Sequence, residues 1–544
     1  MKLKFSSISK YLLFIIAVAV LWITILILFR ESITINQGIF TYVLDDPYIH
    51  MAMAKNLILH GVWGVDKYGF TSSSSSPLWI IVLSLAYFLF GVNLFIPFIL
   101  NIIFATIFIF IAYSIFRYYK LQPAYNLIFL LFLIFFTPIP ALAFTGMEHV
   151  LQILLIVSFA FIGVQMLCEY KANNLKYIML LILAALVVAV RYEDLIMVLI
   201  IAAIFFIKRE FWKSLSILGA SMVPVFAYGI YSTMNGWFFL PNSLITKTIF
   251  VESKTQAFSL NGIFLLVNNF LNIQNLFIFI PLILAVGLLV FRFREKKILW
   301  NSPNILLTLF IGTATLHMIA ARTGWFYRYE AYLIALGILT IAIGISEYLP
   351  AVPKWDKKLI SKNLTLIIII FVLFVSLAGR GYCSFNEVPK ATHNIYDQQY
   401  QMGLFIQKYY KGDAVSLNDV GAVNYVTDIK SVDLLGLSGL NVSKEILKEN
   451  YTIKNIDNIT RQNHVKVIIV YEDLYRKYLT GGIPSDWIKV GQWKITNRIT
   501  CFMDTVSFYA IDPKDAENLT KNLKEFSSQL PPDVQQSGNY MDKD

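Results

Sequence analysis

Charge is scarce in this 544-residue chain: Asp, Glu, Lys and Arg together make up 15% of it. A soluble domain carries roughly 25%, so an ordinary globular composition is excluded. Cysteine is nearly absent, with three residues in all, and no Cys/His spacing typical of a zinc site occurs. Tandem repeats are lacking, which excludes a solenoid. A soluble nucleotide-binding module is lacking too, so no nucleotide or organic cofactor is expected.

Hydrophobic residues are what the chain has instead, at 57%, with a mean hydropathy of +0.63. A helix crossing the hydrocarbon core needs about 20 mostly apolar residues. Candidates lie near 11–30, 93–116, 122–141, 150–168, 175–190, 194–207, 214–232, 270–291, 304–321, 329–348 and 363–379. The first follows Lys2, Lys4 and Lys10 and lacks a small-residue cleavage site, so it reads as a retained helix. The apolar run 77–91 is too short to cross and reads as a helix against the outer leaflet. The count is about eleven spans, or thirteen if the long runs divide differently.

The net charge of +11 does not mark a nucleic-acid binder, because its distribution follows the membrane. Arg117 and Lys120; Lys171 and Lys176; Lys208, Arg209 and Lys213; Arg292, Arg294, Lys296 and Lys297; and Lys354, Lys357, Lys358 and Lys362 fall at every second loop. That is the positive-inside pattern. It puts the N-terminus in the cytoplasm, and the intervening loops and everything after residue 380 outside. Residues 1–380 form the transmembrane module, with a first outer loop at about 31–92. Residues 381–544 form an extracytoplasmic α/β domain, its strands signalled by Val465–Val470 and Thr505–Ala510, with a flexible tail from about 530. Cys383 and Cys501 both fall in that domain, and whether they pair is open.

With this topology the polar clusters gather on the outer side. Asp45 and Asp46 follow the first span, and adjacent carboxylates beside a bilayer are costly unless they serve chemistry. Asp46-Pro47 also reads as an N-cap and first helical residue. Asp45 at that positive helix end is expected to stay ionised and to accept a proton late. Thr71–Trp79, with five serines, reads as a flexible loop capped by Ser76, or as hydroxyls lining a sugar site beside Trp79. Glu148 neutralises a helix dipole or meets a substrate; His149 is structural or a general acid–base. Arg191 and Glu193 form an internal salt bridge or orient a substrate. Lys247, after Pro241-Asn242-Ser243, and Arg328 are candidates for a lipid phosphate, with membrane anchoring by snorkelling as the plain reading of Arg328.

These residues in this order resemble the GT-C superfamily of integral-membrane glycosyltransferases. The resemblance runs through Asp45–Ile49, Thr71–Trp79, Gly146-Met147-Glu148, Arg191-Tyr192-Glu193, Pro241-Asn242-Ser243 with Lys247, Arg328-Tyr329, and Asn418–Ala422 with Val432–Leu437. It is nearer to bacterial members related to mycobacterial arabinofuranosyltransferases than to protein O-mannosyltransferases and lipid A aminoarabinose transferases. Asp194 and His149 stand where relatives often show Gly and Thr.

The resemblance implies a GT-C-like fold in a bacterial cytoplasmic membrane. The implied reaction is inverting, from a polyprenyl-phosphate sugar donor to an acceptor hydroxyl on a cell-envelope glycan, lipid or protein. Asp45 or Asp46 would deprotonate the acceptor. Lys247 and Arg328 would hold the lipid phosphate. Glu148, His149, Arg191, Glu193, Asn242 and Trp79 would bind the sugar. A divalent cation at Asp45 and Asp46 is left open. The competing reading is a transporter or flippase, whose intramembrane charges mark a permeation route.

Overall fold

The computed structural model describes residues 2–168, 174–249, 273–295, 300–349, 364–448 and 450–541. Lys171, Lys296, Lys297, Lys354, Lys357, Lys358 and Lys362 of the basic clusters lie outside them. The side chains of Lys2, Lys4, Lys10 and Lys247 are outside the description as well.

Eight helices among the described residues are long and apolar enough to cross a bilayer. They are Tyr11–Ile35, Ile96–Tyr118, Pro123–Phe144, His149–Cys168, Phe211–Met234, Asn275–Arg294, Ser302–Ala320 and Ile368–Tyr409. Three shorter apolar helices, Pro77–Phe90, Asn174–Val190 and Ala331–Ile345, add to them. Pro77–Phe90 has 14 residues, a length of about 21 Å at 1.5 Å per residue, short of the roughly 30 Å hydrocarbon core. The last long helix, Leu364–Ile395, continues well past the expected end at 379.

The chain divides into two compact units: one of Met1–Leu28, Phe98–Phe226 and Ser253–Asn386, the other of Phe29–Pro97, Ala227–Glu252 and Glu387–Asp544. The first is helical. In its helix Ala331–Ile345 every residue is buried.

The second unit is built on a six-stranded sheet, β1 (Ala414–Leu417), β2 (Lys430–Asp433), β3 (Val467–Val470), β4 (Ile488–Lys494), β5 (Thr505–Ala510) and β6 (Gln535–Gly538). Their order is β2-β1-β3-β5-β4-β6. The β2-β1-β3 half is parallel and the β5-β4-β6 half antiparallel. β3 is apolar throughout because both faces are covered. Val467 and Ile469 enter one hydrophobic cluster with Phe405, Trp493, Phe508 and Leu519, while Ile468 and Val470 enter another with Val432, Ile456 and Tyr509. Ile49, Met53, Trp63 and Ile80, from the segment 31–92, also belong to the first cluster. That segment and the α/β domain thus share one core.

The C-terminal segment expected to be flexible is ordered by pairing. β6 lies on β4, and Gly491 is the reason it fits: a Cβ there would stand 2.3 Å from the Tyr540 ring. The cysteines do not pair: Cys383 is an exposed free thiol and Cys501 a buried one.

Candidate active site

Asp45 directly precedes the helix Asp46–His60, with Pro47 in its first turn. The helix therefore starts one residue earlier than Asp46-Pro47 suggested, and the Asp45 side chain does not cap it. It caps a different helix instead. Asp45 Oδ2 accepts from Gly421 N (2.8 Å) and Oδ1 from Ala422 N (2.7 Å), the residue before and the first residue of the helical turn Ala422–Val426 after β1. Glycine at 421 is a requirement of this approach, since a Cβ would lie 2.2 Å from the Asp45 main-chain oxygen.

Asp419 lies two residues before Gly421. Gln399 Nε2 donates to its Oδ2 at 2.7 Å, and the Tyr471 hydroxyl donates to the same oxygen. Asn418 accepts from Tyr471 N at 2.6 Å, tying the ends of β1 and β3 together. Carboxyl ends of neighbouring parallel strands, where the strand order reverses, are the usual ligand crevice of α/β sheets. Buried Cys501 donates to Gln399 Oε1 at 3.3 Å and extends the network.

Burial pushes the Asp45 carboxyl well above the usual carboxylate range, with the charges of Asp419 and Asp46 adding to it. The two backbone N–H groups bring it only partly down. This reverses the expectation from its place at a helix start: helix dipole alone would have favoured the anion, but three neighbouring acids in a buried setting favour the proton. Asp419 is raised as well, first by burial and then by Asp46, against the hydrogen bonds from Tyr471 and Gln399. Asp46, half-buried, is thus felt by both.

The serine-rich segment is not a flexible loop: Thr71 to Ser76 are all buried. Small hydroxyl side chains fit there because they bond one another and their surroundings. Ser72 meets the Tyr228 hydroxyl at 2.8 Å, Ser74 meets His50 Nε2 at 3.2 Å, and Thr71 Oγ1 accepts from Val65 N at 3.0 Å. Ser76 precedes Pro77, which opens the next helix, and Trp79 on that helix is wholly buried. Asn242 donates its backbone N–H to Ser72 O at 2.9 Å, and its side chain donates to Leu437 O at 3.0 Å and Ser443 Oγ at 2.7 Å. It ties the serine segment to the turn after β2. Lys247 lies on the helix Asn242–Ile249.

The first unit holds a second polar cluster. Arg191 Nη1 contacts Glu148 Oε1 at 2.9 Å and its Nη2 contacts Glu193 Oε1 at 2.7 Å, with the guanidinium over the Tyr329 ring. The salt-bridge reading of Arg191 and Glu193 is therefore realised, and Glu148 is part of it. His149 is fully buried; its Nδ1 meets Gln152 Oε1 at 3.3 Å, and Gln152 donates to Asp194 at 2.9 Å. Arg328, also buried, stacks on Tyr329 at 4.9 Å and donates to its hydroxyl at 3.1 Å. A buried guanidinium rules out snorkelling as its placement.

The turn leading to Arg328 is strained. Trp325, Phe326 and Tyr327 all have left-handed backbone (φ 48°, 57° and 61°), costly for residues with a Cβ. Glu330 Oε2 holds this turn by accepting Gly324 N at 2.7 Å, and Arg380 holds it by donating to Tyr327 O at 2.7 Å. Arg380 and Glu330 also pair with each other. Strain of this kind gathers at ligand sites.

The residues that sequence reasoning passed over are Gln399, Asp419, Tyr471 and Arg380. Asp419 sits in a segment already noted for its resemblance. Arg380 carried a readable signal, as a lone guanidinium inside an apolar helix. Both Asp45 oxygens accept from backbone N–H groups.

A family model described as a domain of unknown function, DUF8728, matches residues 393–509. No curated protein matches the chain significantly. Among solved structures, ArnT from Cupriavidus metallidurans bound to undecaprenyl phosphate is similar, with a TM-score of 0.53 at 10% identity. The match covers 93% of this chain and 99% of that one. The chain is a mainly helical, multi-pass membrane protein of GT-C-like fold with a small C-terminal α/β domain.

Proposed function

We propose that the protein is a membrane glycosyltransferase that moves a sugar from a polyprenyl-phosphate donor to an acceptor hydroxyl, with inversion. The observation that carries this reading is the gathering of Asp45, Asp46 and Asp419 at the carboxyl end of β1. The fold likeness to a protein solved with undecaprenyl phosphate supports the donor class.

The acceptor oxygen attacks the anomeric carbon, whose bond to the phosphate oxygen breaks. The electron pair leaves with polyprenyl phosphate, and the acceptor's proton passes to a carboxylate of the aspartate group. The accepting carboxyl must start ionised, and in that form its raised pKa makes it a stronger base than an ordinary carboxylate. Arg328 and Lys247 are the cations proposed for the departing phosphate, a charge that develops in the transition state. Glu148, His149, Arg191, Glu193, Asn242 and Trp79 are the residues proposed for the sugar. The acceptor is a glycan, lipid or protein of a bacterial cell envelope, and the α/β domain lies outside the cytoplasmic membrane.

Purified protein incubated with polyprenyl-phosphate sugars and envelope acceptors tests the activity. Mass spectrometry of envelope glycans after deletion identifies the product, since donor should accumulate while one sugar residue goes missing. Unchanged glycans and lipid-linked sugars, together with labelled-substrate uptake, would favour the transporter instead. Reporter fusions near residues 295 and 450 should report opposite sides of the membrane; the same side would break the topology.

A further inference from the structure

His393 and Asp397 lie four residues apart, where the helix Leu364–Ile395 runs into a wider π-helical turn, Tyr396–Tyr400. Side chains at that spacing share a face, and Asp533 from the C-terminal segment comes to meet them. His393 Nε2 is 2.6 Å from Asp533 Oδ2 and 3.2 Å from Asp397 Oδ2. One ligand atom from each residue falls within 4.8 Å of the others.

The surrounding hydrogen bonds fix which imidazole nitrogen faces the acids. The Thr41 hydroxyl donates to Thr392 O at 2.8 Å, so its lone pair accepts from Asn36 Nδ2 at 3.1 Å. That orients the Asn36 amide with its oxygen toward His393 Nδ1, 3.1 Å away. Nδ1 therefore carries the proton, and Nε2 points at two carboxylates. A second proton on Nε2 satisfies only one of them, and Asp533 is the closer. Asp397 would remain fully buried with neither oxygen hydrogen-bonded, a costly state for an acid. A metal ion resolves all three groups together, and Asn36 is the outer partner that a metal-bound histidine requires.

We propose that His393, Asp397 and Asp533 bind a divalent transition-metal ion. One imidazole nitrogen and two carboxylate oxygens suit the zinc or manganese class, and half-exposed Asp533 leaves room for water as a further ligand. The ion fastens the C-terminal segment to the helix entering the α/β domain. This site is independent of the glycosyl-transfer reading.

The test uses full-length protein in detergent, freed of metal with chelator and titrated with zinc or manganese chloride. One ion per chain is expected, with a thermal melting temperature that rises on binding. Asp533→Asn and Asp397→Asn should abolish binding, and Asn36→Ala should weaken it about 10- to 100-fold. Should a variant fail to fold, X-ray absorption on the zinc-loaded wild type still decides, since it must show one imidazole nitrogen among oxygen ligands. Wild type that takes up neither metal, or binding that Asp533→Asn and Asp397→Asn leave unchanged, would overturn the site in favour of a protonated His393 ion pair.

Discussion

Asp45 and Gly421, 376 residues apart in sequence, are joined by the Asp45 carboxylate at 2.8 Å from the Gly421 backbone N–H. The acid that precedes the helix Asp46–His60 is thereby the cap of another helix, and its chemistry and its structural duty are coupled.

Gly421→Ala should therefore damage both. The added methyl meets the Asp45 main-chain oxygen at 2.2 Å and Oδ2 at 2.5 Å, and backbone on both sides leaves it little room to yield. Overpacking of this sort costs about 1–3 kcal/mol, to be read as a drop in melting temperature with loss of transfer.

Asp45→Asn turns one of the two acceptors into a donor facing a backbone N–H. A loss of about 1–3 kcal/mol in stability is expected from the unpaired groups. Transfer should fall by about 10²–10⁴-fold if this acid is the base. Asp46→Asn is the companion variant. If Asp46→Asn abolishes turnover and a folded Asp45→Asn retains it, the base is Asp46.

The raised Asp45 and Asp419 carboxyls set the pH dependence. Between about 3.9, the value in an unfolded chain, and the raised native value, the folded protein holds a proton that the unfolded chain has lost. Their contribution to stability is thus fully present below the unfolded value and is lost as pH rises through the native one. Asp419→Asn removes the larger of the two neighbouring charges that raise Asp45. It should flatten the pH dependence of the melting temperature over that window and move the acidic limb of kcat/KM to lower pH. An unmoved limb would show that Asp45 does not titrate in catalysis.

Arg191→Ala strands two carboxylates, Glu148 and Glu193. Removing one partner of a buried pair costs about 3–5 kcal/mol, visible in chemical or thermal denaturation. Arg328→Lys keeps the charge but loses the planar stack on Tyr329. It should raise KM for the lipid donor while leaving acceptor KM unchanged; unchanged donor kinetics would remove Arg328 from the phosphate site.

A maleimide probe should label Cys383 rapidly and leave Cys501 unlabelled until the protein unfolds. Reducing agent should not shift the melting temperature.

Membrane class, the approximate places of the spans and the presence of a C-terminal α/β domain could be read from sequence, because each rests on local hydropathy and periodicity. The expected strands at 465–470 and 505–510 contain β3 and β5, and the Asp45-Asp46-Pro47 start signal lies within one residue of its helix. Tertiary structure alone decided what the local signals left open. It buried the serine run, paired β6 with β4, kept the thiols apart and gave Asp45 acceptor duty toward Gly421 and Ala422. Such outcomes depend on which buried donor or acceptor finds a partner in a distant part of the chain, and no window of neighbouring residues contains that information.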